Sequence, residues 1–383
     1  MKNLTLKLLV PLAGLCLNIA ASGAVTVVPP PPEIDAVSYL IVDSDSGYYL
    51  VEKNTDRRVE PASLTKMMTA YVAASQISGG HIAMTDQVTV SERAWRMGGS
   101  RMFIEVGNQV SVEDLLKGVI IQSGNDSSVA LAEHISGTEE AFADLMNHYA
   151  AELGMKDTRF TNSSGWPDEN HYTTARDLAT LARALIRDYP DIYALHAVRE
   201  FTYNDIKQSN RNSLLWADSS VDGIKTGHTE SAGYCLVASS VRDGIRLISV
   251  VMGAAGTGAR TKATQALLNY SYRFYETRKL YSADETITNV KVWKGERDSL
   301  DLVVEDDLVL TLPRGHYDQI ETVTTVEENP IAPVEAGQKL GQLELSLDEE
   351  VIATLPLVAS EAIPAGGLFI RLRDHIMLQR KLR

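Results

Sequence analysis

"GYCLVASSVRDGIRLISVVMGA", residues 233–254, is two apolar runs hinged on Arg242-Asp243-Gly244. A short Asp-Gly connection favours a tight turn, so the runs are expected to fold back on each other as an antiparallel hairpin. Just ahead stands "VDGIKTGHT", 221–229, also in a strand setting. A matching pattern lies near the other end of the globular part. "VSYLIVDSDSGYYLVEKN", 37–54, is again two apolar runs, separated by a polar segment ending in Gly47. Between these hairpins the apolar spacing is helical: Ser63 to Ile77, then Val112–Ile121, Ser127–Ile135, Thr138–Leu153 and Thr174–Asp188, with Thr261–Tyr275 closing the set. Strands at both ends with helices between predict one mixed α/β domain, of the α+β class, whose terminal strands share a sheet.

The flanks differ from this body. "MKNLTLKLLVPLAGLCLNIAASGA" opens with Lys2 and Lys7, continues through an apolar run from Leu8 to Ala21 and ends in small residues, which is the pattern of a secretory signal peptide over 1–24. The alternative is an N-terminal membrane anchor, for which the run is short against the roughly 20 residues that a span needs. Cys16 falls inside it, so Cys235 alone would remain after cleavage and no internal disulfide is expected. "VTVVPPPPEID", 25–35, reads as an extended proline-rich spacer. After a domain spanning 36–278, short alternating runs separated by Gly, Pro and acidic turns predict a small all-β sandwich over 279–365. "PAGG" at 364–367 then leads into "LFIRLRDHIMLQRKLR", an amphipathic helix in the segment 366–383 with Leu368, Phe369, Leu372, Ile376 and Leu382 on one side. Its basic, terminal character suits a helix lying in a membrane interface; the alternative is a last helix docked on the protein.

The net charge is −14, which argues against nucleic acid as a partner. It is unevenly spread. Residues 1–280 carry 26 basic and 31 acidic side chains, residues 281–365 carry 5 and 18, and residues 366–383 carry 5 and 1.

Three fragments carry chemistry. In "VEPASLTKMM", 59–68, Ser63 stands three residues before Lys66. A serine at this place could be a helix cap, since its hydroxyl satisfies an orphan backbone N–H. It could also be a nucleophile: residues three apart share a helix face, which brings a lysine amine over the hydroxyl as a base, provided that burial or a neighbouring cation keeps the amine neutral. "QSGNDSS", 122–128, sets Ser123 and Asn125 around a glycine just before a helix. "KTG", 225–227, offers a cation at Lys225, a hydroxyl at Thr226 and, at Gly227, room for a substrate backbone to lie against the strand. Chance places such a tripeptide in a chain of this length only about one time in twenty.

The three fragments in this order are the signature of the penicillin-recognising serine enzymes. With "PASLTKMMTAYV", "LLKGVIIQSGND", "VDGIKTGHTESAGYCLVAS" and "YRFYET", the chain resembles the low-molecular-mass penicillin-binding proteins, the D-alanyl-D-alanine carboxypeptidases of serine peptidase family S11. The resemblance implies a β-lactamase/DD-peptidase-like catalytic domain, a mainly antiparallel sheet flanked by helices, followed by a small β domain and an amphipathic anchor. It implies an exported, periplasmic protein attached peripherally to the outer face of the cytoplasmic membrane. Its partners would be peptidoglycan pentapeptide stems and β-lactam antibiotics.

By the same resemblance, neutral Lys66 takes the proton of Ser63, which attacks the carbonyl joining the last two D-alanines. The backbone N–H groups of Ser63 and His228 hold the oxyanion, Ser123 passes a proton to the departing D-alanine, and Asn125 bonds the peptide. Lys225 supplies positive potential, and Arg260, in "GAAGTGARTKATQ", pairs with the terminal carboxylate beside Thr226. Water then cleaves the acyl-enzyme, with no metal or cofactor. The His228 side chain is expected to line the cleft and Arg176-Asp177 to hold structure. His81, His134, His148, His171 and His196 form no ligand-like cluster. Three alternatives stay open. A class A β-lactamase would need a deacylating glutamate, for which only Glu169 is near. A DD-endopeptidase would use the same residues, and a wall-binding protein would use none of them.

Overall fold

The computed structural model describes residues 27–381, so the expected signal peptide and Leu382 lie outside the described residues. Five strands form the central sheet: β1 (Ser38–Asp43), β2 (Tyr49–Lys53), β3 (Val221–Thr229), β4 (Gly233–Arg242) and β5 (Ile245–Ala254). Their order is β2-β1-β5-β4-β3 and every pairing is antiparallel. The terminal strands share the sheet as expected, with Leu40 of β1 opposite Val250 of β5.

Both faces of the sheet are covered. Leu40, Val42, Val237, Ile248 and Val250 point to one side, where they join Met67, Met68, Tyr71, Leu178 and Leu181. Tyr39, Ile41, Leu236, Ala238 and Val251 point to the other, against Leu267 and Leu268. Side chains alternate across a strand, so a strand buried on both faces must be apolar in both registers, which is why β4 and β5 read as continuous runs. The Lys66–Ser78 helix is buried all round from Lys66 to Ala74 and forms the axis of the domain. A helix of that kind has no solvent face, so its one lysine is buried with the rest.

Local chemistry sets the other helices. Thr138 and Thr174 cap Glu139–Glu152 and Ala175–Asp188 by accepting the Ala141 and Asp177 N–H groups. Several expected helix boundaries moved: the helix expected from Thr261 starts at Thr257, the helix expected from Ser127 starts at Asn125, and two further shifts bear on the site. Ala62–Thr65 is a tight 3-10 turn, so the α-helix starts at Lys66 rather than Ser63, and the Ser63 hydroxyl caps nothing. The Val112 helix stops at Lys117 and runs into a wide turn, Gly118–Gln122, that ends with Ser123 in a left-handed conformation, φ 65°.

The Thr257–Phe274 helix passes directly into the strand Tyr275–Tyr281, which pairs with Leu308–Pro313. Beside these lies a five-stranded antiparallel sheet in the order Thr286–Lys291, Ser299–Val303, Glu350–Ala359, Lys339–Leu347, Glu321–Val326. Its core is Val292, Leu300, Leu302, Leu343, Leu345, Leu357 and Ile363. The two parts meet at the buried carboxylate of Asp43. It accepts from the hydroxyls of Ser46 (2.9 Å) and Thr277 (2.7 Å), both of which contact Thr311. Ahead of β1 the prolines are not free: Tyr270 donates to the Pro29 carbonyl and Ile34 is buried.

The Leu368–Lys381 helix docks by one face, where the buried Asp374 accepts the Lys294 N–H at 2.7 Å and Leu378 packs inward. Leu368, Phe369, Leu372 and Ile376 face solvent, Phe369 at 88% exposure. No described helix is long and apolar enough to cross a membrane.

Candidate active site

Ser63 sits in the 3-10 turn that precedes the buried helix, and two glycines let that turn come close to its neighbours. A Cβ on Gly227 of β3 would lie 3.1 Å from the Pro61 carbonyl and 3.2 Å from Leu64 Cγ. A Cβ on Gly165, φ 78°, would overlap the Ala62 carbonyl at 1.8 Å. The sequence reading gave Gly227 the task of admitting a substrate backbone; its missing side chain also admits the Ser63 turn itself.

Lys66 is 1% exposed, and its Nζ is 2.7 Å from Asn125 Oδ1, 2.5 Å from the Ser164 carbonyl and 3.2 Å from Ser63 Oγ. The first two atoms are pure acceptors, and a neutral amine has two N–H donors to give them. Its lone pair then faces the one neighbour that can donate, the Ser63 hydroxyl. Burial pulls the amine down to about 7, against an opposing pull from Asp126 and Glu139. The lowering therefore comes from desolvation rather than from a neighbouring cation.

Lys225 is buried too, 2% exposed, and donates to the Thr226 carbonyl at 3.2 Å. Burial first, and then the charges of Lys66, Arg211 and Arg260, hold it well below the usual lysine range. Among the described ion pairs, none involves Lys66, Lys225, Arg211 or Arg260. The site thus gathers four basic side chains that form no ion pair with a carboxylate among the described residues, inside an acidic protein, and burial presses its two lysines toward their neutral form.

A cleft of ≈ 240 Å³ is lined by Ser63, Ser123, Thr226, Gly227, His228 and Arg260, together with Ser100, Arg211, Tyr234 and Thr257. Ser123 Oγ is buried with no partner among the described residues, as suits a hydroxyl that waits for a ligand or water. Asn125 spans the gap from Lys66 to the loop at Gly98, whose carbonyl its Nδ2 meets at 2.8 Å. The exposed His228 ring stacks on Tyr234 at 4.0 Å and lines the mouth. Arg260, 8% exposed, donates through Nη1 to the carbonyls of Gly227 and Cys235, both at 3.1 Å, and its guanidinium lies over the Tyr234 ring. All nine residues singled out from the sequence therefore fall around one cleft or on its wall.

Others escaped notice. Asp126 is fully buried and accepts the N–H groups of Met102, Phe103 and Ile104, which fixes the loop carrying Ser100 beside Asn125. Glu139 holds Ser163 through its N–H and hydroxyl and so places the Ser164 carbonyl. Arg211 is mounted between Asn210 and Asn212, whose buried amides donate to the carbonyls of Val198 and Gly223. Two asparagines flanking an arginine were the available signal. Arg176 and Asp177 do hold structure, the first bound to Asp56, the second to Thr158 and the Asp157 N–H. Glu169 is exposed. His171 and His196 are buried, each brought down to about 4 by desolvation, and the described residues contain no cluster able to hold a metal ion.

Residues 24–256 match the D-alanyl-D-alanine carboxypeptidase family, peptidase S11, and residues 275–365 match the C-terminal domain of penicillin-binding protein 5. The chain is 42% identical to the D-alanyl-D-alanine carboxypeptidase DacC of Escherichia coli over 356 residues, covering 91% of this chain and 89% of that one. In structure it is similar to penicillin-binding protein 5 from Haemophilus influenzae, with a TM-score of 0.84 and 41% identity over 88% of this chain and 99% of that one. It is also similar to penicillin-binding protein D2 from Listeria monocytogenes, solved in an ampicillin-bound form, with a TM-score of 0.59 and 28% identity over 63% of this chain and 100% of that one.

Proposed function

The chain belongs to the peptidase S11 family of D-alanyl-D-alanine carboxypeptidases, and from that membership we propose how its own residues carry the reaction. The activity is removal of the terminal D-alanine from peptidoglycan stem peptides by a serine mechanism, blocked by β-lactams. Ser63 is the nucleophile and Lys66 its base. The observation that carries this assignment is the amine's set of neighbours: two acceptors and one hydroxyl, in a site dry enough to bring its pKa to about 7.

As Ser63 Oγ attacks the scissile carbonyl carbon, its proton moves to Lys66 Nζ and the carbonyl oxygen becomes an oxyanion facing the Ser63 and His228 N–H groups. The carbon–nitrogen bond breaks when the departing D-alanine nitrogen receives a proton, relayed from Lys66 through the Ser123 hydroxyl, which has no partner among the described residues. Lys66, neutral again, deprotonates the water that cleaves the ester and regenerates Ser63. Asn125, Thr226 and the edge of β3 at Gly227 hold the peptide. Arg260 faces the carboxylate end as a cation, and a substrate anion bound there would favour the charged form of Lys225, which burial otherwise opposes.

A β-lactam traps the same ester. Mass spectrometry of a digested penicillin adduct is expected to find the label on the peptide containing Ser63 and none in Ser63→Ala. Label on any other peptide overturns the assignment.

The Leu368–Lys381 helix attaches the protein to the outer face of the cytoplasmic membrane from the periplasm. Supporting this are its exposed row of Leu368, Phe369, Leu372 and Ile376, and the neighbouring Arg371, Arg373 and Arg380. Deleting residues 366–383 is expected to release the exported protein from membranes while D-alanine release from a small soluble peptide is unchanged. A truncated protein that still sediments with membranes refutes the anchor.

A further inference from the structure

The five-stranded sheet of the β-rich module has two edges that differ in kind. At one edge, Thr286–Lys291, the register shifts between Thr286 and Thr288, and Lys291 lies on the strand. Bulges and lysines are the usual means by which an edge is kept from pairing. The other edge, Glu321–Val326, has neither. Its sequence, ETVTTV, is rich in β-branched residues, and it pairs with Lys339–Leu347 over six consecutive residues with no register shift among them. Glu321 to Thr325 are all exposed, on both faces of the strand, and this strand stands last in the sheet order. One row of its backbone N–H and C=O groups is therefore open to a further strand.

Charge selects the occupant. At the start of the strand a groove of ≈ 560 Å³ is lined by Gln319, Glu321, Ser346, Asp348 and Glu349; at its end stand Glu327 and Glu328. Val323 is 53% exposed between these acidic ends, next to Glu344 on the paired strand. A second copy of the chain would bring the same acids of two edges together, and an anionic lipid surface would be repelled. We propose that the Glu321–Val326 edge docks an extended basic segment of another protein, which adds to the sheet as a sixth strand. The segment carries β-branched residues at its centre, against Val323 and the threonines, and a lysine or arginine at the end that reaches the Glu321, Asp348 and Glu349 groove. Backbone pairing supplies affinity in this mode and the end charges supply direction and selection.

The test uses the full-length protein and two synthetic peptides, acetyl-Lys-Thr-Val-Thr-Val-Lys-amide and its counterpart with glutamate in place of both lysines. The expected result is one-to-one binding of the basic peptide, at least about tenfold tighter than the acidic one. Amide hydrogen exchange is expected to slow within residues 321–326. Thr324→Pro, which spoils the edge, abolishes binding. Should that variant fold poorly, Glu321→Lys with Glu349→Lys, both on the surface, weakens binding about tenfold without touching the strand backbone. D-alanine release is unchanged in all of them. No saturable binding below about 1 mM, equal binding of the two peptides, or protection confined to residues outside 321–326 overturns the proposal. So does a concentration-dependent dimer in sedimentation that Thr324→Pro removes, because the edge would then serve a second copy.

Discussion

The catalytic cleft buries two lysines among hydroxyls and carboxamides, whereas the β-rich module spreads 18 acidic and 5 basic side chains over residues 281–365 and buries none of them. The same kind of group does different work in the two settings. In the module each charge keeps its water and acts at a distance, as potential and as selection among partners. In the cleft, loss of water changes the group itself: a buried ammonium that no carboxylate pairs with directly is brought down to about 7, against the pull of Asp126 and Glu139, and can serve as a base. Both arrangements are costly to misplace. A dry lysine is useful only if every remaining donor finds an acceptor, which is the service of Asn125 and Ser164.

The largest expected effect breaks the buried side of this comparison. Lys66→Ala is expected to slow acylation by penicillin by about 10³-fold while the far-ultraviolet circular dichroism stays that of the wild type. The pH dependence follows in sign. Only the neutral amine accepts the serine proton, so the wild-type acylation rate rises with pH and is half-maximal at about 7, where an ordinary lysine would still be fully protonated. A flat profile between pH 5.5 and 8.5, or a variant that acylates at the wild-type rate, means that burial of Lys66 is not put to chemical use. Charge changes in the module should move neither quantity.

How much of this was legible before the structure depends on the range of the contacts involved. Hairpins announce themselves locally, through Asp243-Gly244 and Gly47 with apolar runs on either side, and β4, β5 and β1 lie as that reading predicts. The Ser63-Lys66 spacing was legible for a related reason, since residues three apart on a helical turn share a face. The exact form of that turn was not. Ala62–Thr65 is pinned from outside by Gly165 and Gly227, which are 100 or more residues away in the chain. Asp126 follows the "SGN" fragment directly, yet its role is read only once Met102 to Ile104 are seen to donate to it. Likewise the terminal helix read as one apolar row, while its docking face rests on Asp374, a charged residue that periodicity assigns to solvent. Each omission is a long-range hydrogen bond or a close approach, which residue type and spacing do not encode.

The smallest expected effect sharpens the comparison, because it concerns a cation that is buried yet remains charged. Arg260 is lowered from the usual arginine range, chiefly by burial, but a guanidinium parts with its proton so reluctantly that it stays charged. Its Nη1 is committed to the carbonyls of Gly227 and Cys235, and no other guanidinium N–H of Arg260 has a hydrogen-bond partner among the described residues, while Arg260 and Thr226 line the same cleft. A charge-assisted contact from that fork to the terminal carboxylate of the substrate is worth roughly 1.5–3 kcal/mol. Arg260→Ala also strips a donor from two strand carbonyls, so kcat/KM falls for every substrate. The readout is therefore a ratio: kcat/KM for a D-alanyl-D-alanine peptide over that for its C-terminal amide. It is expected to drop about tenfold in Arg260→Ala, with Arg260→Lys recovering part of it through charge alone. An unchanged ratio assigns Arg260 to the support of β3 and β4, and leaves recognition of the chain end to Lys225 and Thr226.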